Sequence, residues 1–280
     1  MREIHTDQII SNIKEMCISA NLELADDVSS RILFAEKEER AELPKKILGD
    51  LIKNMEIAKS ENIPICQDTG MAVVFLEVGQ DVHIVGQNLT DAVNEGVRQG
   101  YTEGYLRKSV VKDPLIRENT RDNTPAVIHT EIVPGENIKI TLAPKGFGSE
   151  NMSRVCMLKP ADGIEGVRNA VLDTVRLAGP NSCPPVVVGV GIGGTFEKCA
   201  LLAKKALTRT LGTHSPYPHI EKLETELLDE INALNIGPGG LKGKTTALGI
   251  NIEVYPTHIA GLPVAINMCC HVNRHVTRII

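Results

Sequence analysis

The sequence of 280 residues contains no tryptophan, and aromatic residues make up only 3% of it. So few aromatic side chains argue against a surface on which nucleic-acid bases stack. A formal net charge of -5 gives no basic excess for binding phosphate backbones. No apolar run reaches the roughly 18 residues that a membrane-spanning helix needs. Neither nucleic acid nor a membrane is therefore an expected partner.

The cysteines are odd in number, seven in all, which argues against a framework of disulfides. The first residues lack the apolar core of a signal peptide, so we expect a cytoplasmic protein. Three cysteines fall in apolar stretches and are expected in the core: Cys17, Cys156 and Cys199. The others lie among Pro, Gly, Asn and His, surroundings typical of loops that carry reactive or ligating thiols: Cys66, Cys183, Cys269 and Cys270.

The hydrophobic pattern predicts a mixed α/β fold. Apolar residues recur at helical spacing in three stretches before residue 62, with Thr6 as the expected N-cap of the first helix. Further on, strands alternate with helices. We expect one domain over residues 1–280, in which residues 1–62 form a mainly helical layer. Two β-hairpins are also expected, one joining residues 71–78 to 81–85 and one joining 126–133 to 138–143.

Residues 64–70, with the sequence PICQDTG, place a thiol, a carboxamide and a carboxylate side by side. The proline before them and the glycine after them predict a tight loop, which can direct adjacent side chains into one pocket. A thiolate binds metal, a carboxylate moves protons and an amide orients a polar ligand. The alternative is a polar turn with an incidental buried cysteine.

Two glycine-rich segments resemble nucleotide-binding loops only in part. Gly189, Gly191 and Gly194 match the dinucleotide pattern, but no acidic residue occurs in residues 208–219. Residues 239–245 are similar to a P-loop, but the first glycine of the pattern would fall at position 238, which is Pro238. A helix is also predicted before this loop, where a P-loop requires a strand. NAD or ATP binding is therefore a weak alternative, although Lys244 could meet an anion.

Metal ligation is indicated near the end of the chain, where residues 268–275 contain two cysteines and two histidines. Closely spaced zinc pairs such as C-x-x-C are absent. Three thiols that converge from distant loops would suit a metal cluster with one open iron.

Three segments together, in this order, resemble class I fumarate hydratases, whose relatives include L-tartrate dehydratase. They are residues 64–70, the Cys183-Pro184-Pro185 loop that leads into residues 191–195, and the spacing from His258 to Cys270 and Arg274. The resemblance extends over essentially the whole chain and is to the alpha subunit of the two-subunit form.

The resemblance implies an oxygen-sensitive [4Fe-4S] cluster held by Cys66, Cys183 and Cys270, with Cys269 as a neighbour that could replace Cys270. It also implies substrate contacts, namely Gln67, Asp68, Arg107, Gly148 and His258, with Asp68 as the proton-transfer group. Residues 271–273 depart from the relatives, so the local pocket is expected to differ.

The activity implied is the reversible hydration of fumarate to (S)-malate. The alternatives are L-tartrate dehydration to oxaloacetate and an iron–sulfur protein without catalysis. The sequence ends ten residues after Cys270. We therefore expect a separate, smaller beta subunit to complete the active site in a hetero-oligomer, with a second base and further cationic contacts for a dicarboxylate.

Overall fold

The computed structural model describes residues 2–280. The helices are α1 (Thr6–Leu22), α2 (Asp26–Glu38), α3 (Glu42–Glu61), α4 (Leu89–Glu103), α5 (Phe147–Glu150), α6 (Gly163–Ala178), α7 (Phe196–Ala206) and α8 (Pro218–Ala233). The strands are β1 (Arg2–His5), β2 (Met71–Gly79), β3 (Val82–Val85), β4 (Val127–Val133), β5 (Ile138–Lys145), β6 (Arg154–Leu158), β7 (Val186–Gly193), β8 (Ala247–Tyr255), β9 (Leu262–Cys269) and β10 (Val276–Ile279). This combination confirms the predicted α/β class. Within residues 2–280, no helix is both long and apolar enough to cross a bilayer.

The first helix begins one residue away from the expected cap. His5 is the N-cap of α1, and its Nδ1 accepts a hydrogen bond from the Asp7 N–H at 3.3 Å. Thr6, the predicted cap, is instead buried, and its hydroxyl oxygen accepts a hydrogen bond from the Gln87 N–H at 3.2 Å. The Thr6 side chain therefore makes a tertiary hydrogen bond with Gln87, in place of the N-cap that the local sequence predicted.

Contacts within the chain define two compact units. The first comprises the described residues up to Ala25, together with Met55–Phe147 and Arg274–Ile280. The second comprises Asp26–Asn54 and Gly148–Asn273. The expectation of a single domain over 1–280, with residues 1–62 as its helical layer, stays a prediction.

The first unit is built on a four-stranded sheet in the order β10-β5-β2-β4, which corrects both expected hairpins. Strand β2 is buried along most of its length and runs in the middle, parallel to β4 and antiparallel to β5. A buried strand needs a neighbour on each side, so β4 and β5 flank β2 and do not pair with each other. The short strand β3 pairs with β1 in a separate two-stranded sheet.

The second unit has a mixed sheet in the order β6-β9-β7-β8, with helices on both faces. Alternate residues of β7 point to opposite faces. Val188 and Val190 pack in a core with residues of α6 and α8. On the other face a methyl group on Gly191 would lie 2.1 Å from the Cys199 carbonyl oxygen of α7. Glycine at this position therefore lets a helix backbone approach the strand, which accounts for part of the dinucleotide-like pattern without a ligand.

Candidate active site

The loop of residues 64–70 lies in the first unit and is tied down by buried polar side chains. The Tyr101 hydroxyl donates to the Thr69 carbonyl oxygen at 2.7 Å and lies 3.0 Å from the Gly70 carbonyl oxygen. The Asn123 amide donates to the same Gly70 oxygen at 3.1 Å. Tyr101 and Asn123 are fully buried, and burial raises the pKa of the Tyr101 hydroxyl above its usual range. Tyr101 is therefore a permanent hydrogen-bond donor, and the loop backbone has a fixed position.

The Asp68 carboxylate is oriented by two backbone N–H groups, one on each oxygen. Gly70 N–H donates to Oδ1 at 3.0 Å and Phe147 N–H donates to Oδ2 at 2.9 Å. Each carboxylate oxygen has further acceptor capacity beyond these bonds. The half-buried carboxylate is therefore aimed by the backbone and retains lone pairs for another partner.

Cys66 and Gln67 are the other functional side chains of this loop. Cys66 is half-buried, Gln67 is exposed, and the Cys66 thiol lies 3.4 Å from the Gln67 carboxamide oxygen. The Ile65 N–H, immediately before Cys66, donates to the Asn21 carbonyl oxygen at 2.9 Å. Hydrogen bonds thus hold the backbone on both sides of Cys66, Gln67 and Asp68.

Arg107 is exposed at the start of a long loop, and residues 64–70 anchor this loop through Thr69. The Thr69 hydroxyl donates to the Arg107 carbonyl oxygen at 3.0 Å. Among residues 2–280, no carboxylate lies within 4.0 Å of the Arg107 guanidinium. A surface salt bridge with a carboxylate of residues 2–280 therefore does not account for Arg107, and the guanidinium is available to an anion.

Two of the candidate thiols lie at one end of the sheet in the second unit. Cys183 precedes β7, and Cys270 follows β9, which pairs antiparallel to β7 with Val187 opposite Cys269. The His271 Nδ1 lies 3.1 Å from the Cys183 carbonyl oxygen, which ties the two loops together. Cys183 is exposed and has left-handed backbone dihedrals (φ 54°, ψ 62°). Such strained conformations in non-glycine residues cluster at functional sites.

Cys269 and Cys270 differ in accessibility. Cys269 is the last residue of β9 and is only 4% exposed, whereas Cys270 lies just beyond the strand and is half-buried. Neither takes part in a disulfide, and the same holds for Cys66 and Cys183. Cys17 and Cys199 are buried in the core as expected, and burial raises the pKa of both thiols. Cys156, which was also expected in the core, is instead half-buried against its edge.

The segment that resembles a P-loop supports the Cys183 loop. Gly239 N–H donates to the Pro184 carbonyl oxygen at 2.8 Å. Gly240 has a φ of 74°, and a methyl group there would lie 2.4 Å from Pro180 Cβ. The cation of Lys244 is paired with Glu38 at 2.8 Å. A role in packing therefore accounts for this glycine-rich segment.

Gly148 and His258 are also exposed residues of the second unit. Gly148 lies in the single turn of α5, next to the boundary of the unit. His258 lies in the turn between β8 and β9, where its Nδ1 accepts a hydrogen bond from the Ala260 N–H at 3.2 Å. That turn precedes β9 and Cys270 follows it, so an eight-residue strand of about 26 Å separates them. The fold of this unit does not bring His258 to Cys183 and Cys270.

The donor chemistry of Cys183 and Cys270 fits an iron–sulfur cluster. In residues 2–280, no three His, Cys, Asp or Glu side chains converge closely enough to enclose one metal ion. Cys183 and Cys270 instead offer two accessible soft donors from adjacent loops, and iron–sulfur clusters are held by thiolates of this kind.

The sequence model of the fumarate hydratase family (Fumerase) matches residues 10–279. The chain belongs to this family. The resemblance expected from the cysteine motifs is thereby confirmed. The chain is also 42% identical over 272 residues to a provisionally named L(+)-tartrate dehydratase subunit alpha of Methanocaldococcus jannaschii, with 95% of each chain covered. It is 30% identical over 284 residues to the L(+)-tartrate dehydratase subunit alpha of Escherichia coli strain UTI89, covering 99% of this chain and 93% of the relative.

Sequence reasoning missed the buried polar residues that hold the loop of this family's first cysteine motif. Tyr101 follows Val93 and Val97 at intervals of four residues, so the pattern identifies its burial but not its two carbonyl partners. Asn21 and Asn123 gave no signal. A buried asparagine is recognisable only when the backbone groups it satisfies are known.

Proposed function

We propose that this chain is the alpha subunit of an iron–sulfur hydro-lyase that reversibly hydrates fumarate to (S)-malate. The observation that carries the proposal is the family match over residues 10–279. Two features of the first unit support it: a carboxylate oriented by two backbone N–H groups, and a tethered arginine with no carboxylate partner among residues 2–280.

The proposed ligands of a [4Fe-4S] cluster are Cys66, Cys183 and Cys270. With only three protein ligands, such a cluster would leave one iron open, and that iron would supply a Lewis acid for the hydroxyl group that leaves or enters. The shared sheet end of Cys183 and Cys270 supports their pairing, and the accessibility of Cys270 favours it over the buried Cys269.

Asp68 is the proposed proton-transfer group. In dehydration it gives a proton to the departing hydroxyl group, and in hydration it takes a proton from the attacking water. The hydrogen bonds from Gly70 and Phe147 fix the direction of the carboxylate, so little reorganisation is needed when the proton moves.

The substrate is proposed to be a four-carbon dicarboxylate. The Arg107 guanidinium can bind one carboxylate in bidentate fashion, which fixes the carbon presented for reaction. The exposed Gln67 carboxamide can orient a second polar group of the substrate. Gly148 and His258 are proposed contacts on the family resemblance alone, and the position of His258 gives that assignment no support.

A separate beta subunit is proposed to complete the site. Addition of water across a double bond also needs transfer of a proton to the neighbouring carbon. Asp68 transfers the proton of the oxygen, so a second group is needed for the carbon. A dicarboxylate has two anionic ends, of which Arg107 accounts for one. The relatives from M. jannaschii and E. coli carry names of alpha subunits, which supports a second kind of chain.

L-tartrate dehydration is the second candidate function, because both of these relatives carry that name. Loss of one hydroxyl group and of the proton on the neighbouring carbon gives an enol, which tautomerises to oxaloacetate. The same proton transfer and carboxylate binding serve this reaction.

The test is an anaerobic reconstitution of this chain alone and with its candidate beta subunit. Each preparation is assayed with fumarate, (S)-malate, both tartrates and mesaconate. We expect turnover of fumarate and malate, or of one tartrate, only when both chains are present. Full activity of the alpha chain alone would refute the divided site, and a complete enzyme that is inactive on every substrate would refute the proposed function.

A further inference from the structure

Arg274 is a buried cation in the first unit. Its side chain is 3% exposed, and one terminal nitrogen, Nη1, donates to Asn21 Oδ1 at 2.7 Å. Its Nε makes no hydrogen bond, and no carboxylate of residues 2–280 lies within 4.0 Å of the guanidinium. A buried charge without an opposite charge is costly, so its position calls for an explanation.

The partner of Arg274 holds the loop of Cys66. Asn21 is fully buried at the end of α1, and its amide donates to the Cys17 carbonyl oxygen at 2.9 Å. Its own carbonyl oxygen accepts the hydrogen bond from Ile65 N–H at 2.9 Å, directly before Cys66. The guanidinium therefore fixes the asparagine that fixes this part of the loop.

The other end of the guanidinium faces the surroundings of Asp68. A methyl group on Gly146 would lie 3.1 Å from Asp68 Oδ2 and 3.6 Å from Arg274 Nη2. Arg274 thus lies beside the same short stretch of backbone as the Asp68 carboxylate, without forming an ion pair with it. A neutral amide could also donate to Asn21, so the hydrogen bond alone does not require a charge at this position.

We propose that Arg274 is a positioning residue for the loop that carries Cys66, Gln67 and Asp68. Through Asn21 it anchors the backbone, and its fixed positive charge faces a place where negative charge accumulates. A thiolate at Cys66, the Asp68 carboxylate and an anionic substrate would together make that place strongly negative. This inference rests on the proposed function for its catalytic consequence, but not for the anchoring of Cys66.

The test compares Arg274→Gln with Arg278→Gln in the full chain. Arg278 belongs to the same final segment and also donates to an asparagine of α1, Asn12 Oδ1, at 3.1 Å. Within residues 2–280, no hydrogen bond joins that asparagine to the Cys66 loop. The first readout is the alkylation rate of Cys66 by iodoacetamide in the cofactor-free protein, with the half-buried Cys156 as internal reference. The reaction is run above the ordinary thiol pKa of about 8.5, so that the rate reports access to the thiol and not the loss of a nearby cation. The second is kcat and KM of the reconstituted holoenzyme with its beta subunit.

We expect Arg274→Gln to raise the alkylation rate of Cys66 about tenfold, because a shorter, neutral amide replaces the charge-assisted hydrogen bond to Asn21 with a weaker one or with none. We also expect kcat to fall about tenfold at nearly unchanged KM, since a misplaced catalytic loop weakens transition-state interactions. Arg278→Gln should leave both readouts unchanged. Arg274→Lys keeps the charge but loses the planar fork, and should lie between the wild type and Arg274→Gln.

The proposal is overturned if Arg274→Gln matches the wild type in both readouts, or if Arg278→Gln changes them equally. If Arg274→Gln does not fold, Arg274→Lys decides: wild-type values of both rates in that variant would overturn the proposal. A holoenzyme without hydro-lyase activity would refute the proposed function, yet the difference in Cys66 alkylation would still be measurable.

Discussion

Replacing Asp68 by asparagine tests two roles of that carboxylate, which are acceptance of backbone hydrogen bonds and proton transfer. Its two oxygens each accept a backbone hydrogen bond, from Gly70 and Phe147. An asparagine has a single oxygen, so its amide group must face one of those N–H donors. We expect the cofactor-free Asp68→Asn chain to lose about 1.5–3 kcal/mol of unfolding free energy, the scale of one hydrogen bond to a charged group. Loss of a general acid–base should lower kcat by about 100-fold or more.

The matched control is Asp113→Asn. Asp113 also caps two backbone N–H groups, those of Leu115 and Ile116, but it does so with Oδ1 alone, at 2.8 and 2.7 Å. The asparagine oxygen can keep both bonds, so this variant should lose less stability than Asp68→Asn and should retain its activity. The assay is urea unfolding of each cofactor-free chain and kcat of each reconstituted holoenzyme. Near-normal kcat in Asp68→Asn would make Asp68 a structural cap and would refute its proposed role.

Two further predictions concern the second unit, namely the packing next to the Cys183 loop and the pH dependence of stability at Glu39. Gly240→Ala should lower the iron content after reconstitution, because the added methyl group would lie 2.4 Å from Pro180 Cβ beneath the Cys183 loop. Gly135→Ala, also at a positive φ but with no atom within 4 Å of the added methyl group, should not, and an equal loss in both would contradict the steric reason. Burial raises the pKa of Glu39, but hydrogen bonds from the N–H groups of Ala41, Lys244 and Arg40 outweigh it, so the folded-state pKa lies below its usual range. Because that pKa is lowered by folding, the extra stability of Glu39 over Glu39→Gln should be present at pH 7. It should shrink as the pH falls below the usual glutamate pKa of about 4.3. An unchanged difference in urea unfolding at pH 7 and at acid pH would contradict this.

The helices were predictable because their apolar residues recur every three or four positions, as Ile9, Ile13 and Met16 do in α1. Strand pairing was not. Residues 126–143 contain two strands and a turn, which is also the pattern of a hairpin, yet β2 lies between the two strands. The local sequence specifies each strand, but the burial of β2 on both sides decides which strands become neighbours.

Adjacent residues of the sequence were the basis for one part of the candidate site. Cys66, Gln67 and Asp68 stand together in the sequence, and the structure gives Asp68 its two backbone donors. The Arg274–Asn21 contact joins residues 253 positions apart, and no spacing rule could have identified it. His258 shows the converse, since its spacing to Cys270 carries the family resemblance while an entire strand separates the two.

The central claim is that Cys66, Cys183 and Cys270 together hold an iron–sulfur cluster. The most direct measurement is the iron and acid-labile sulfide content of the anaerobically reconstituted chain, for the wild type and for single serine variants. We predict about four irons and four sulfides per wild-type chain. Cys66→Ser, Cys183→Ser and Cys270→Ser should lose them, while Cys269→Ser and Cys156→Ser should keep them. A stoichiometric zinc content would contradict the claim, and loss in Cys269→Ser with retention in Cys270→Ser would move the third ligand by one residue.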